Sequence, residues 1–211
     1  MMTETINQII LLAPPLLLAL TIHEFCHGYV AYKLGDPTAK LAGRLTLNPL
    51  SHLDPIGTIA FFFIKIGWAK PVPVNPNYFK NPRRDMLWVA LAGPISNLLL
   101  AIISAIAAKT LWAIAPSLPA TALIKAIVIP LNGMLVASVW INLVLCIFNF
   151  IPIPPLDGSK IVAGLLPRDL AIAYEKVEKY GFVILILLAF SGLLSKAIVP
   201  IIRFANGLLL S

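Results

Sequence analysis

Three ionisable side chains fall within five residues at the end of an otherwise apolar run. The stretch LLLALTIHEFCHGYVAYKLGD contains His23, Glu24 and His27, whereas no charged residue lies between Thr5 and Ile22. An ionisable side chain in hydrocarbon is costly, so such residues usually serve a function. The spacing is H-E-x-x-H, which on a helix places both imidazoles on one face with the carboxylate beside them. The pattern indicates a metal ion held by His23 and His27, with Glu24 as a general base for hydrolysis.

A third ligand is expected elsewhere, because a catalytic zinc site usually has three protein ligands and one open position. Asp157, in NFIPIPPLDGSK, is the acidic residue that follows a membrane span closely on the same side. The prolines end the preceding helix, and Gly158 allows a sharp backbone turn. We therefore expect Asp157 to reach the histidines from across the bundle. The alternatives are an aspartate that caps a helix or turn, and a metal-free polar cluster that joins two helices.

Composition places these residues in a membrane protein. The chain has 211 residues, of which 59% are hydrophobic and 12% charged, against about 45–50% and 25% in a soluble domain. A spanning helix needs about 20 apolar residues, and the sequence predicts an all-α polytopic protein with about four such helices. They cover residues 6–34, 86–108, 126–156 and a stretch that starts near 180. The last could be one tilted span or a span plus an interfacial helix.

We expect one membrane-embedded domain over residues 1–211, with its core at about 6–160 and a C-terminal helical region at 161–211. The region between the first two spans differs in kind. Residues 55–64 are its longest uncharged stretch and are too few to cross as a helix, so the sequence predicts a re-entrant or β-hairpin-like segment. Prolines at 71, 73, 76 and 82 predict an extended loop after it.

Lysine and arginine are unevenly distributed between the loops. Residues 35–85 carry seven and residues 157–179 carry four, whereas the loop between the second and third spans carries Lys109 and Lys125. With four spans, the two basic regions share one side, and the positive-inside rule places them in the cytosol and the N-terminus outside. The ionisable cluster then faces the cytoplasm. The net charge of +7 therefore reflects membrane topology, and we predict no nucleic-acid partner.

Four motifs together resemble the site-2 protease family of intramembrane zinc metalloproteases. They are TIHEFCHGYVAYKLGD, GRLTLNPLSHLDPIGT, AGPISN and NFIPIPPLDG, and they follow the family's order. The resemblance is to the minimal type, without PDZ or CBS domains. It implies a three-helix catalytic core formed by the first three spans, one zinc ion per chain, and regulated cleavage of membrane-spanning proteins within the bilayer.

The resemblance also assigns residues. His23, His27 and Asp157 would be the zinc ligands, Glu24 the catalytic base, and Asn149, eight residues before Asp157, a contact to the oxyanion or the substrate. The expected partners are single-span membrane protein substrates and the lipid bilayer, with an oligomer or a regulatory membrane partner left open.

Two other functions compete with this interpretation. A metal transporter or sensor would place ligands at several depths, whereas here they cluster at one end of the first helix. A structural zinc scaffold would need a fourth protein ligand, and the sequence offers no obvious one. Three further residues have ordinary explanations. We expect Cys26 to be a packing residue rather than a ligand, His52 to lie in an interfacial turn rather than at the site or the substrate, and Asn97 to form interhelical hydrogen bonds rather than to act in catalysis.

Overall fold

The computed structural model describes residues 2–57, 69–117 and 121–211. The α-helices with both ends in these ranges are α1 (Met2–Lys33), α2 (Thr38–Leu41), α3 (Pro82–Ile114), α4 (Ala122–Asn149), α5 (Asp157–Leu165), α6 (Arg168–Glu175), α7 (Glu178–Phe190) and α8 (Leu193–Leu210). Short 3-10 helices cover Pro49–Ser51, Pro76–Tyr78 and Ala115–Ser117. Strand-like pairing within the described ranges is limited to an isolated bridge. The all-α prediction is confirmed.

Four helices in the described ranges are long and apolar enough to span a membrane. They are Asn7–Lys33, Pro82–Ser117, Ile124–Asn149 and Leu193–Leu210. The first helix continues through Pro14 and Pro15, and the second through Pro94. The chain is therefore a multi-pass membrane protein, with the number of spans that the sequence predicts.

The fourth span begins later than the sequence predicts. Helix α7 covers the apolar run after Tyr180 but has only 13 residues, which is about 20 Å at 1.5 Å per residue and too short to cross. It ends because Gly192 follows in the left-handed conformation, with φ of 73°. The spanning helix is α8, which includes Lys196 and Arg203. The last 32 residues therefore contain one helix long enough to span a membrane, after a shorter one.

Helix α3 lies at the centre of the bundle and packs against α1, α4 and α5, while α1 also contacts α4. Helices α1, α3 and α4 thus form the three-helix core that the resemblance implies. Helix α8 closes the outer side of α3 and α4 through an apolar cluster of Ala101, Ala105, Val139, Leu143, Ile198 and Ile202. The two alanines on α3 let the helix backbones approach closely, as small residues do in membrane bundles.

The two ends of the bundle are distinct. One end, called here the site end, holds the C-termini of α1 and α4 and the N-terminus of α3. Helix α8 starts at the site end, where Leu193 and Leu194 line a groove with Phe150 and Ile151. It finishes at the opposite end, where the Lys109 ammonium on α3 contacts the backbone oxygen of Ser211. Helices α5, α6 and α7 lie in the chain between the end of α4 and the start of α8, both of which are at the site end.

The segment between α1 and α3 is mostly irregular. Leu53 and Ala69 form an antiparallel bridge, which brings the two ends of the intervening stretch together. The predicted re-entrant or hairpin-like segment falls mainly on residues 58–68, outside the described ranges, and stays a prediction. The predicted extended loop is found at residues 70–75, without regular secondary structure.

Candidate metal centre

Three side chains from two helices converge at the site end of the core. His23 and His27 project from one face of α1, and Asp157 is the first residue of α5. The Oδ2 atom of Asp157 lies 3.2 Å from Nε2 of His23 and 3.3 Å from Nε2 of His27. The two Nε2 atoms are 3.0 Å apart. These are the residues in the described ranges whose side-chain atoms form a group able to hold a metal ion.

In each imidazole, Nδ1 already lies within hydrogen-bond distance of an oxygen acceptor. Nδ1 of His27 lies 2.7 Å from the carbonyl oxygen of Val89, which can only accept, so this nitrogen carries the proton. Nδ1 of His23 lies 2.6 Å from Oδ1 of Asn97. In a neutral imidazole one nitrogen donates and the other accepts. Both Nε2 atoms therefore present lone pairs to the centre of the group.

The group consequently brings three acceptors together. Two Nε2 lone pairs and a carboxylate oxygen repel one another unless a cation lies between them. In addition, Oδ2 of Asp157 is buried without a hydrogen-bond partner in the described ranges, which is costly for a polar atom. Two imidazoles and a carboxylate match the ligand types of catalytic zinc sites. The residues fit a divalent metal, and the ion would satisfy the orphaned oxygen.

Asp157 is held rigidly by the loop that precedes it. A Cβ atom at Gly158 would lie 2.4 Å from the carbonyl oxygens of Phe150 and Ile151. This close backbone approach, rather than the predicted sharp turn, requires the glycine. A divalent cation beside the Asp157 carboxyl would favour its charged form. The ligand is therefore a carboxylate at neutral pH.

The backbone of helix α3 packs closely against the imidazoles of His23 and His27. A Cβ atom at Gly93 would lie 2.4 Å from Nε2 of His27 and 2.6 Å from Nε2 of His23. The adjacent Pro94 is buried inside the helix and cannot donate a backbone hydrogen bond. The AGP sequence thus brings the backbone of α3 within contact distance of both ligands.

A buried chain of hydrogen bonds extends from His23 into the middle of the bundle. Nδ2 of Asn97 donates to Oδ1 of Asn142 at 2.8 Å and to the Ala19 carbonyl at 3.2 Å. Nδ2 of Asn142 in turn donates to the Ser138 carbonyl at 2.9 Å. Because backbone carbonyls only accept, both amide orientations are fixed, and Oδ1 of Asn97 must face His23. This chain of hydrogen bonds orients the His23 imidazole so that its Nε2 stays free.

Comparison with known proteins identifies the family of this chain. The family model described as Peptidase family M50 matches residues 11–192. The chain belongs to peptidase family M50. It is 42% identical over 190 residues to "Putative zinc metalloprotease YwhC" of Bacillus subtilis, covering 89% of this chain and 84% of that protein. No solved structure gives a significant match.

Two mycobacterial proteins called Rip2, with the same description, are more distant relatives. The Mycolicibacterium smegmatis protein is 26% identical over 185 residues, covering 85% of this chain and 66% of the relative. The Mycobacterium tuberculosis protein is 28% identical over 182 residues, covering 82% of this chain and 63% of the relative. The chain thus spans slightly less than two thirds of the Rip2 proteins.

Within this M50 chain, Glu24 is adjacent in sequence to the ligand His23 but is not part of the three-residue ligand group. Its side chain is half-buried, and its Oε2 atom accepts a hydrogen bond of 2.8 Å from the Val72 backbone N–H. Its other oxygen, Oε1, has no hydrogen-bond partner among the described residues. One carboxylate oxygen is therefore held by the protein and the other is available to a water molecule.

The other residues that the sequence singles out have contacts of their own in the structure. Asn97 forms the predicted interhelical hydrogen bonds, to α1 and α4. His52 caps the 3-10 helix Pro49–Ser51, as expected of a turn residue, and its Nε2 lies 2.8 Å from the Thr46 carbonyl. Cys26 is a half-buried free thiol. The Asn149 amide donates to Leu145 of its own helix at 2.9 Å, so its contact to the oxyanion or substrate stays a prediction.

Sequence reasoning missed Asn142, which is fully buried. An uncharged amide in a long apolar run was the available signal, because an amide in hydrocarbon needs a partner. Asn142 lies outside the four motifs that carry the family resemblance.

We expect the Asn97→Leu substitution to weaken metal binding about 10- to 100-fold, the usual effect of removing the partner of a ligating histidine. The leucine removes the acceptor for Nδ1 of His23 and leaves Oδ1 of Asn142 unpaired. Titration of bound zinc against a competing chelator measures the change. Asn132→Leu is the matched control, because its buried Oδ1 has no hydrogen-bond partner in the described ranges. Equal affinities for the two variants would contradict the predicted role of Asn97.

Proposed function

We propose that this M50 metalloprotease is an intramembrane zinc endopeptidase that cleaves membrane-spanning segments of other proteins. The observation that supports it is the convergence of His23, His27 and an unpartnered Asp157 carboxylate within a bundle of spanning helices. His27 is six residues from the end of α1, or about 9 Å along the helix axis. A site at that depth can receive a transmembrane segment from the bilayer and water from the nearby surface.

The three converging side chains would hold one zinc ion per chain, as the sequence predicts. When bound there, zinc would lower the pKa of a coordinated water and polarise the peptide carbonyl. Glu24 acts through its free Oε1, which accepts a proton from the attacking water and passes it to the departing amine. His23 and His27 keep their geometry through Asn97 and Val89.

The substrate class follows from where the site lies. A transmembrane helix has its backbone fully paired, so it must unwind locally before a peptide bond can reach the ligand group. Single-span proteins with a helix-breaking pair near the site end are therefore the preferred substrates. The basic residues at the site end favour the cytoplasmic face for this end under the positive-inside rule, with the N-terminus of the chain outside.

We expect cleavage of a single-span reporter, with an Asn-Pro pair within its transmembrane helix, by the purified chain in lipid vesicles. A zinc chelator should stop cleavage and added zinc should restore it, because only the metal-loaded ligand group can support hydrolysis. Gel mobility and mass spectrometry of the fragments locate the cut. Zinc flux across the vesicle without cleavage would instead support the transporter alternative and overturn the proposal.

A further inference from the structure

A strap of extended chain, residues 69–75, crosses a face of α1 next to the one that carries the ligand pair. Its sequence is AKPVPVN, and Ala69 at its start pairs with Leu53. Gly28, one helical turn after Glu24, permits the close approach. A Cβ atom at Gly28 would lie 3.0 Å from Cγ1 of Val72. The strap therefore packs directly against α1 beside Glu24.

The strap presents one hydrogen-bond donor to the active carboxylate. The Val72 N–H donates to Oε2 of Glu24 at 2.8 Å. Val72 lies between Pro71 and Pro73, and proline has no backbone N–H. The Pro-Val-Pro unit therefore offers a single backbone donor, and that donor faces Glu24. The Val74 N–H makes no hydrogen bond to any described residue.

Buried polar groups secure the strap on both sides of Val72. Before it, the Lys70 N–H donates to the His52 carbonyl at 2.9 Å, and Nη2 of Arg44 donates to the Lys70 carbonyl at 2.6 Å. After it, the Asn75 N–H donates to Oδ2 of Asp36 at 2.7 Å.

The side chains that secure the strap are expensive to bury. Asp36 and Arg44 are 0% and 8% exposed, and burying polar or charged groups is unfavourable unless they are hydrogen-bonded. Neither belongs to the ligand group or to the proposed proton transfer. Their shared role is to hold the strap in register with α1.

We infer that the strap positions Glu24 for catalysis, with the Val72 N–H holding Oε2 so that Oε1 faces the reacting water. A hydrogen bond to a carboxylate is short and strong, and it limits rotation of a side chain that the other groups of the site leave free. The inference rests on the proposed function because it requires Glu24 to act as the base. Val72 is a positioning residue, and it acts through its backbone.

The test removes the donor and keeps the rest of the site. Val72→Pro should lower kcat for the Asn-Pro reporter about 10- to 100-fold, the usual effect of losing a hydrogen bond to a charged group. KM and bound zinc should stay unchanged, because neither substrate nor ligand contacts are altered. Val74→Pro is the matched control, with a valine-to-proline change after a proline but no hydrogen bond to lose, and it should stay within about twofold of the unsubstituted chain.

A second pair of variants separates the N–H from the side chain. Val72→Ala keeps the N–H, so it should recover most of the activity that Val72→Pro loses. If Val72→Pro purifies without zinc, Arg44→Met takes its place. That substitution removes the anchor at Lys70 and should lower kcat about 3- to 10-fold, as expected for one peripheral hydrogen bond.

Two outcomes would overturn the inference. One is equal activity of Val72→Pro and Val74→Pro, and the other is a loss in Val72→Ala as large as in Val72→Pro. Failure of the proposed function has a different signature, since Glu24→Gln would then keep cleaving. A Glu24→Gln variant that does not cleave, beside a fully active Val72→Pro, rejects the strap inference alone.

Discussion

Glu24→Gln should reduce cleavage of the Asn-Pro reporter by about 10²- to 10⁴-fold, the range that general acid–base catalysis contributes, while the protein keeps its zinc. Glutamine has nearly the same shape, and its amide oxygen can accept the hydrogen bond that the Val72 N–H gives to Oε2. The strap should therefore stay in place. The amide cannot accept and return a proton near neutral pH, so only the chemical step is lost.

The zinc content of the Glu24→Gln variant is as informative as its activity. His23, His27 and Asp157 form the ligand group without Glu24, so stoichiometric zinc is expected by elemental analysis of the purified variant. Glu175→Gln, on the exposed surface of α6, is the matched control and should leave both quantities unchanged. Loss of zinc from Glu24→Gln would make Glu24 a structural residue, and retained cleavage would remove it from the mechanism.

The sequence located the ligand group because its members are rare in hydrocarbon. His23 and His27 have helical spacing, and Asp157 follows a span that must return to the same side of the membrane. Each of these signals can be detected without a structure, since burial of an ionisable group requires a reason. The spans were likewise predictable from length and hydropathy, apart from the start of the fourth, where Gly192 ends α7 and the spanning helix begins at Leu193.

The parts that support the ligand group could not be predicted in the same way. Asn142 binds Asn97 only because α3 and α4 cross at that point. The donor to Glu24 is a backbone N–H from a loop 48 residues away, and every residue except proline carries such a group. Periodicity gives the face of a helix, but the partner across that face depends on helix packing. Sequence analysis therefore singled out the three residues that converge in the structure and missed Asn142 and Val72, which contact Asn97 and Glu24.

Gly93→Ala should abolish most metal binding although it adds a single methyl group. The new Cβ atom would lie 2.4 Å from Nε2 of His27 and 2.6 Å from the Cε1 and Nε2 atoms of His23, well inside van der Waals contact. Helix α3 cannot withdraw easily, because Asn97 on the same face is hydrogen-bonded to His23 and Ala19 on α1. The imidazoles must move instead, and they would separate from Asp157.

The loss of zinc affinity in Gly93→Ala should exceed the about 10- to 100-fold effect of removing a ligand's hydrogen-bond partner, because the ligands themselves are displaced. Helix stability changes in the opposite direction, since alanine favours a helix over glycine by about 1 kcal/mol.

A ligand that binds only the folded state raises the stability of that state. Added zinc should therefore raise the unfolding temperature of the unsubstituted chain but not of Gly93→Ala. Gly207→Ala is the matched control, because no atom outside the local helix backbone lies within 4 Å of the new Cβ, and it should behave like the unsubstituted chain. An equal zinc-dependent shift in Gly93→Ala would show that the ligands do not depend on the backbone of α3.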